Sequence, residues 1–456
     1  MKDISLKNTL DHSHTKGITH MKFKKSKVIA AASVLTLSAL LAACGGEDEK
    51  QATTKDGKTI ISWWGWAPQP EAGKEVVDAF NKSQDKYVVE FKRYSEDYEK
   101  QLQVAMLSGK GPDIIGLKEP MIQQYKDRVV PVDSYMDKAA GKGWKDKFVE
   151  LGIEQTTIDG KQYAVPIGFT GQAYLMYNKT MLDKYGVTPP KNYKETVDAV
   201  KKIKASGDKV IPLMLGAKDA WIDIDVYNVL SHQVAPGYIQ KVLSGEAKWT
   251  DDEMVKTAQV WQDLFEDKVF QEGALGLATY NDGMNQFFDK KAAMWVIGSW
   301  EAHSMTTAEK KDKWKIKDEL GFTPLPNLAG GTEQPIIASI DMALAVNKES
   351  KQQEGAAEFV AFMSQGEGQE VYMGEFEMAP GIKEVKIDSD AAFTSEGEKE
   401  SYKMLNETLS KAVASRGIRD TKLNDILGKE LQNIATGQNP KEALQRVQDA
   451  ADQSKK

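Results

Sequence analysis

Residues 59–68 read TIISWWGWAP, and the order of elements that begins there decides the fold class. Thr59 to Trp63 is predicted to be a strand, and amphipathic helical patterns then alternate with short apolar runs. The next predicted elements are a helix over Glu71–Ser83, a strand over Tyr87–Lys92, a helix beginning at Tyr98 and a strand over Asp113–Leu117. This β-α-β-α-β order predicts an α/β protein with a parallel sheet and right-handed crossovers.

The alternation continues along the rest of the chain, which has 456 residues and is too long for one compact core. We therefore expect two or more domains with enough length for two sheets. The polar segment from Asp388 to Lys399 is predicted to be a surface loop, and the chain after about Ser401 is predicted to be helical. Further strands are predicted over Leu175–Tyr177, Val210–Leu215, Ala292–Ile297 and Met342–Val346, and further helices around Tyr193–Val200 and Ala356–Met363.

The quoted stretch places three tryptophans within four positions. Strand alternation points Ile61 and Trp63 to one side of the sheet, so Trp63 is predicted to be a core residue. Trp64 and Trp66 lie at and past the strand end, and ligands of open α/β sheets bind outside the carboxyl ends of the strands. At least one of these two rings is therefore predicted to cover a flat ligand; the alternative is a hydrophobic lid on the surface.

The content of cysteine and histidine excludes several kinds of site. Cys44 is the one cysteine, and three of the five histidines fall within the first 20 residues. This argues against a metal site built from several histidines and against a Cys/His nucleophile pair. No disulfide within the chain is possible, and no cofactor is predicted.

The first 43 residues are predicted to be a leader with a lipoprotein signal peptide. Met21–Lys27 is basic, and Val28–Ala43 is a largely apolar run of sixteen residues, shorter than the roughly 20 that span a bilayer. The run ends in Leu41-Ala42-Ala43-Cys44, which resembles the bacterial lipobox, so Cys44 is predicted to be lipidated. The alternative for Cys44 is an incidental small residue after a signal peptide. Residues 1–20 are interpreted as an extension that precedes a translation start at Met21.

Residues 44–58 are predicted to be the lipidated cysteine and a flexible tether, because only Ala52 is apolar after the cysteine. Removing residues 1–43, which hold seven lysines and two aspartates, changes the formal net charge from −7 to −12. An acidic body is a poor partner for nucleic acid. Attachment to a membrane would therefore depend on the lipid rather than on charge.

Several segments, taken in order, resemble one family: the extracellular solute-binding proteins of ABC importers (family 1, like the maltose-binding protein) in the cluster that binds oligosaccharides. Each segment is weak alone, and the ordered set over residues 60–450 is specific. The segments are Ile60–Trp63, Tyr98–Asp113 (YEKQLQVAMLSGKGPD), Tyr163–Pro166 followed by Tyr177–Lys179, Pro189–Val200 (PPKNYKETVDAV), Ala292–Trp300 (AAMWVIGSW), Ala356–Met363 (AAEFVAFM) and Gly437–Ala443 (GQNPKEA).

The resemblance implies a two-lobed, periplasmic-binding-protein-like α/β fold with hinge-crossing strands and a helical C-terminal part. The first lobe would be residues 59–168 with 341–375, and the second 169–338 with 380–456. Crossings would fall near Phe169, Ser339 and Met378. The implied function is that of a binding protein and not an enzyme. It would be a monomer, held by its lipid anchor on the extracellular face of a bacterial cell membrane, and would deliver an oligosaccharide or sugar to the transmembrane subunits of an ABC permease.

A sugar ring has an apolar face that aromatic rings cover and hydroxyls that carboxylates accept. Trp300 matches the family's GSW position, commonly a stacking platform; the alternative is a core residue at a strand end. Trp221 lies in a segment that reads as a loop, and packing is its alternative. Asp113 is predicted to be structural, and Trp144, Trp249, Trp261 and Trp314 to be packing residues. The predicted ligand-binding residues are Trp64, Trp66, Glu119, Phe169, Trp221, Asp223, Trp300 and Asp341.

Two other functions remain open from the sequence. A secreted glycoside hydrolase would need two carboxylates roughly 5–10 Å apart, and 67 acidic residues always provide some such pair. A binding protein for a solute other than a sugar, such as a polyamine, would also suit an acidic body.

Overall fold

A computed structural model describes residues 53–94, 97–415, 418 and 420–454. The predicted leader, the predicted lipidation at Cys44 and most of the predicted tether lie outside this range. Within it, no helix combines the length and the apolar character needed to cross a bilayer.

The strands are the first set of elements. They are β1 (Thr59–Gly65), β2 (Tyr87–Arg93), β3 (Ile114–Leu117), β4 (Thr157–Ile158), β5 (Lys161–Gln162), β6 (Val165–Gly171), β7 (Tyr174–Asn178), β8 (Ile211–Met214), β9 (Ala292–Ile297), β10 (Leu320–Pro324), β11 (Ala338–Val346) and β12 (Ala379–Pro380).

The α-helices flank these strands. They are α1 (Pro70–Ser83), α2 (Tyr98–Leu107), α3 (Glu119–Tyr125), α4 (Asp133–Ala139), α5 (Glu150–Gln155), α6 (Lys179–Lys184), α7 (Tyr193–Ala205), α8 (Ala220–Val234), α9 (Tyr238–Ser244), α10 (Asp252–Glu266), α11 (Asn285–Phe288), α12 (Gln353–Gln365), α13 (Glu367–Met373), α14 (Ser389–Ala392), α15 (Glu396–Leu409), α16 (Thr421–Ala435) and α17 (Pro440–Ser454).

Two main sheets organise the chain. The first has the order β12-β6-β11-β3-β1-β2, in which β1 is parallel to both β2 and β3, as predicted. The second has the order β10-β7-β9-β8, with β8 parallel to β9. The α/β class predicted from the sequence is therefore confirmed.

The predicted crossings near Phe169, Ser339 and Met378 fall at three neighbouring strands of the first sheet. Phe169 is in β6, Ser339 is in β11 and Met378 directly precedes β12. β6 leads into β7 of the second sheet through Gln172 and Ala173, and β11 follows the second sheet's β10 along the chain. The boundaries of the two lobes remain a prediction.

The first strand shows how alternation sorts the tryptophans. Trp63 is fully buried, with its ring centroid 4.0 Å from that of Phe91 and 5.3 Å from that of Phe359, so its predicted core role is confirmed. Asp113 is structural as predicted, since its carboxylate accepts hydrogen bonds from the backbone N–H and the hydroxyl of Ser62 at 2.8 and 2.7 Å.

The C-terminal helices share a core with the second sheet. Leu427 and Leu431 of α16 and Val447 of α17 are fully buried in the same apolar cluster as Leu175 of β7 and Leu213 of β8. Trp249 and Trp261 belong to this cluster, and Trp144 is buried in the separate apolar cluster that contains Trp63. Trp314 stacks on Phe288 with centroids 4.0 Å apart, so all four are packing residues as predicted.

Two local predictions are wrong. Residues 388–399 are not a loop: they form α14 and the start of α15, where Ser395 and Glu398 make a capping box. Glu398 is fully buried and pairs with Lys310. The segment around Trp221 is not a loop either, because α8 begins at Ala220 and Trp221 lies in its first turn.

Candidate functional site

A cavity of about 900 Å³ lies where the carboxyl ends of β1, β2 and β3 face elements of the second sheet. Its lining comes from distant parts of the chain, and aromatic and charged side chains dominate it. Its aromatic and charged lining side chains are Trp66, Arg93, Lys118, Trp221, Asp225, Tyr280, Trp300, Glu301, His303, Lys313, Asp341 and Glu377.

One side of the cavity is a cluster of three rings, which we call the aromatic wall: Trp221, Tyr280 and Trp300. The rings of Trp221 and Tyr280 are stacked, with centroids 6.1 Å apart and planes at 21°. Trp300 lies 5.8 Å from Trp221, and its indole N–H donates to the Tyr280 hydroxyl at 2.6 Å. Tyr280 is 41% exposed, so the wall presents apolar ring surface to the cavity.

Gly298 makes room for the Trp300 ring. It follows β9, and a Cβ at this position would lie 2.0 Å from a carbon of that ring. Its φ of −84° is one that any residue can adopt, so close approach and not backbone conformation requires the glycine. The Gly298-Ser299-Trp300 sequence thus folds the indole back over its own strand end.

The opposite side of the cavity, which we call the charged edge, consists of Arg93, Trp66 and Lys118. These residues stand at the carboxyl ends of β2, β1 and β3, which are neighbours in the sheet. The Lys118 ammonium lies 5.1 Å from the centre of the Trp66 ring, a cation–π geometry. The Nε of Arg93 is buried and has no hydrogen-bond partner in the described part of the chain.

Asp341 reaches the cavity because of a β-bulge. In the pairing of β11 with β6, Ile340 opposes Phe169 and Met342 opposes Gly168, so Asp341 is an extra residue of β11 at this point. A second shift, between Met342 and Ala343, leaves Ile167 as an extra residue of β6. A bulge locally redirects a side chain, and bulges are common beside functional sites. Glu377 is a second carboxylate at this end of the lining and accepts a hydrogen bond from Gln69 at 3.2 Å.

Asp225 is a lining residue that the sequence analysis missed. Its carboxylate accepts a hydrogen bond from the Gln172 amide at 2.6 Å, and the Gln172 oxygen accepts one from Asn228 at 3.0 Å. Gln172 lies in the short connection between β6 and β7. Because Trp221 and Asp225 are four residues apart on α8, they share one helix face, a signal that appears only once the helix start is known.

His303 lies among carboxylates at the cavity. Burial alone would lower its pKa, but the carboxylates of Glu301 and Glu377 outweigh burial and raise the pKa of His303 above its usual value. Its Nδ1 is 2.9 Å from the carbonyl oxygen of Trp300. In the described ranges, no three Asp, Glu, His or Cys side chains are grouped in a way that could hold a metal ion.

The structure brings four of the eight predicted ligand residues to this cavity: Trp66, Trp221, Trp300 and Asp341. The other four do not line it. Trp64 lies against Tyr94 and under the ammonium of Lys92, which is 4.9 Å from its ring centre. Phe169 is buried in the core.

The two remaining predicted residues are buried carboxyls. Glu119 begins α3 and accepts a hydrogen bond from the Ser415 hydroxyl at 3.2 Å. Asp223 is fully buried, and burial raises the pKa of its carboxyl well above the usual value. A role in ligand binding remains a prediction for all eight.

Arg93, Tyr280 and Lys118 were also missed. Arg93 and Lys118 could have been found from their positions, because each stands at the carboxyl end of a predicted parallel strand, as Trp66 does. Tyr280 has no such signal: it lies in a π-helical turn over Thr279–Met284 that no local pattern indicates.

A sequence profile described as bacterial extracellular solute-binding protein matches residues 65–370, and the chain belongs to this family. The family resemblance read from the sequence is therefore confirmed. The family and the relatives below are binding proteins.

Among the relatives is a multiple sugar-binding protein of Streptococcus mutans, 25% identical over 78% of this chain and 82% of its own length. A galactooligosaccharide-binding protein of Bacillus subtilis is 24% identical over 94% of this chain and 96% of its own. A solved structure of an ABC substrate-binding protein from Listeria monocytogenes, in complex with cycloalternan, superposes with a TM-score of 0.71. It is 19% identical and covers 87% of this chain and 99% of its own. Such likeness confirms the expected binding-protein fold.

Proposed function

We propose that this protein is the extracellular substrate-binding component of an ABC importer and that it captures a sugar or oligosaccharide in the cavity described above. The aromatic wall is the observation that carries the proposal. Flat apolar rings pack favourably on the C–H face of a pyranose, and carboxylates nearby accept hydrogen bonds from its hydroxyls. Three rings side by side provide area for more than one sugar unit.

The names of the relatives support this ligand class. The Streptococcus mutans and Bacillus subtilis proteins are named for sugars and galactooligosaccharides, and they align over most of the chain. No catalytic step is part of the proposal: the carboxylates of the cavity act as acceptors of hydrogen bonds.

Ligand binding would close the two lobes about the crossings at β6, β11 and β12, a hinge motion. The closed monomer would then deliver the sugar to the transmembrane subunits of a permease. Lipidation at Cys44 would hold the protein on the extracellular face of the cell membrane, with residues 44–58 as the tether.

A thermal-shift and calorimetric screen of the chain from Gly45 onward tests the proposal, with neutral oligosaccharides in one arm and spermidine in the other. A ligand at 100 times its Kd stabilises the folded state by about 2.7 kcal/mol, enough for a clear rise in Tm. We expect a rise with at least one oligosaccharide and none with spermidine. A rise in Tm with spermidine alone would show that the ligand is a polyamine and not a sugar. Steady cleavage of any oligosaccharide would show that the protein is a hydrolase and not a binding protein.

A further inference from the structure

Arg93 is a cation at the edge of the cavity whose side chain has no partner among the described residues. It is the last residue of β2, its Nε is buried, and its guanidinium makes no hydrogen bond or ion pair in the described part of the chain. A guanidinium is always charged and carries five N–H donors. A buried donor left without an acceptor destabilises the protein that contains it. An acceptor supplied by a ligand would remove that cost.

The carboxylates of the cavity do not supply this acceptor. Asp341 is on β11, which is separated from β2 by β3 and β1. Since neighbouring strands are about 4.8 Å apart, these two strands are about 14 Å apart across the sheet. Asp225 and Glu301 come from the other side of the cavity and accept hydrogen bonds from Gln172 and Ser304.

The lining charges that stand on the first sheet are therefore sorted along its edge. Lys313, a further lining cation, comes from the segment Glu309–Lys313 and pairs with Glu309 at 3.2 Å. Arg93 and Lys118 stand at β2 and β3, with Trp66 between them at the end of β1. Asp341 stands at β11, and Glu377 stands shortly before β12 at the far end of the sheet. A ligand lying along this edge meets two cations and an indole at one end and two carboxylates at the other.

We propose that the sugar ligand carries a carboxylate, as a uronic acid does, and that Arg93 binds this group. The inference rests on the proposed function and specifies its ligand class. The planar fork of a guanidinium matches a carboxylate with two parallel hydrogen bonds, and such charge-assisted bonds are among the strongest. Trp66 provides the adjoining ring face for the pyranose that bears the carboxylate, and Lys118 adds a second positive charge.

Calorimetry with matched pairs of oligosaccharides tests the inference. One pair is the α-1,4-linked trimer of galacturonic acid and α-1,4-linked galactotriose; the other is xylotriose with and without a glucuronic acid substituent. We expect at least one acidic member to bind at least tenfold more tightly than its neutral counterpart. This preference should shrink as the salt concentration rises, because salt screens charge interactions.

Three variants test whether Arg93 is the residue responsible for the preference for acidic oligosaccharides. Arg93→Gln removes the charge and should lower affinity for the acidic member at least tenfold, and by clearly less for the neutral one. Arg93→Lys keeps the charge without the fork and should retain part of the preference. Lys92→Gln is the matched control, because Lys92 is the preceding residue, is exposed and lies outside the lining. Circular dichroism melting curves verify that each variant is folded.

The outcomes separate the two proposals. Equal or tighter binding of the neutral members, or an acidic preference that survives Arg93→Gln, overturns the role of Arg93 and leaves sugar binding intact. Binding of neither member in any pair, together with no neutral hit in the thermal screen, overturns sugar binding and this inference with it.

Discussion

The aromatic wall and the charged edge face the same cavity but are held in opposite ways. In the aromatic wall, the Trp300 indole donates to Tyr280 at 2.6 Å and Trp221 stacks on the same tyrosine. In the charged edge, the Arg93 Nε is buried without a partner in the described chain. The wall is preorganised by its own contacts, whereas the guanidinium of Arg93 makes no such contact with the described residues.

This difference indicates a division of labour. A preformed ring surface binds with little loss of side-chain freedom, so it should supply most of the affinity. A charged group that awaits one kind of partner should supply most of the selectivity, because each alternative ligand leaves it unpaired. Arg93→Gln, described above, tests the charged edge. The following variants test the aromatic wall, in order of decreasing effect on ligand affinity, and a last one tests stability.

Trp300→Ala should have the largest effect. It removes a ring that contacts both other members of the wall. We expect the Kd for the sugar ligand to rise at least tenfold, about 1.4 kcal/mol. Calorimetry measures the affinity, and a melting curve shows whether the fold is intact. Trp64→Ala is the comparison: its ring lies under Lys92 and outside the lining, so we expect less than a twofold change. An unchanged Kd for Trp300→Ala would move the site elsewhere.

Gly298→Ala should have the next largest effect, although it deletes no ligand contact. The new methyl group would lie 2.0 Å from the Trp300 ring, so the ring must swing out of the wall. We expect the Kd to rise about fivefold, somewhat less than on loss of the whole ring. Gly276→Ala is a matched control, because a Cβ there meets nothing within 4 Å. Equal affinities of both variants would show that the position of Trp300 is not critical.

Tyr280→Phe should have a smaller effect. It keeps the ring that stacks on Trp221 and removes the hydroxyl that accepts from Trp300. The net value of one such hydrogen bond is about 1 kcal/mol or less, so we expect roughly a threefold rise in Kd. A loss as large as that of Trp300→Ala would indicate instead that the hydroxyl contacts the ligand.

His303 should make the stability of the folded protein depend on pH. Its pKa is raised in the folded state by Glu301 and Glu377, which outweigh burial. Its stabilising contribution is therefore fully present below the unfolded pKa, about 6.5, and is lost as the pH rises through the folded pKa. Urea unfolding of the wild type and of His303→Gln should show a larger difference in the free energy of unfolding at pH 6 than at pH 8. The opposite trend would mean that burial dominates the pKa.

Much of the fold could be predicted because its signals are local. Strand alternation placed Trp63 in the core, and strand ends or crossings marked Trp66, Trp300 and Asp341, which do meet at one cavity. The position of Trp221 at the cavity was anticipated, although its secondary structure was not.

The features that could not be predicted depend on knowing where a helix begins or on a partner residue far away in the sequence. Asp223 and Asp225 cannot be told apart until α8 is known to begin at Ala220; only then do Trp221 and Asp225 share a face. Glu398 looked like part of a polar loop because its partner, Lys310, is 88 residues away. Tyr280 depends on a turn that has no local pattern.

The extra residue in β11 has a consequence for how this binding site can diverge. Side chains alternate between the two faces of a sheet along a strand. Adding or deleting one residue beside the bulge would therefore point the Asp341 side chain away from the cavity, and it would move the neighbouring side chains of β11, which pairs with β6, to the opposite face. Asp341 can therefore be substituted by another residue, but an insertion or deletion beside it would remove the side chain at this position from the cavity. Relatives with different ligand preferences should vary the residue at this spot and keep the irregularity of the strand.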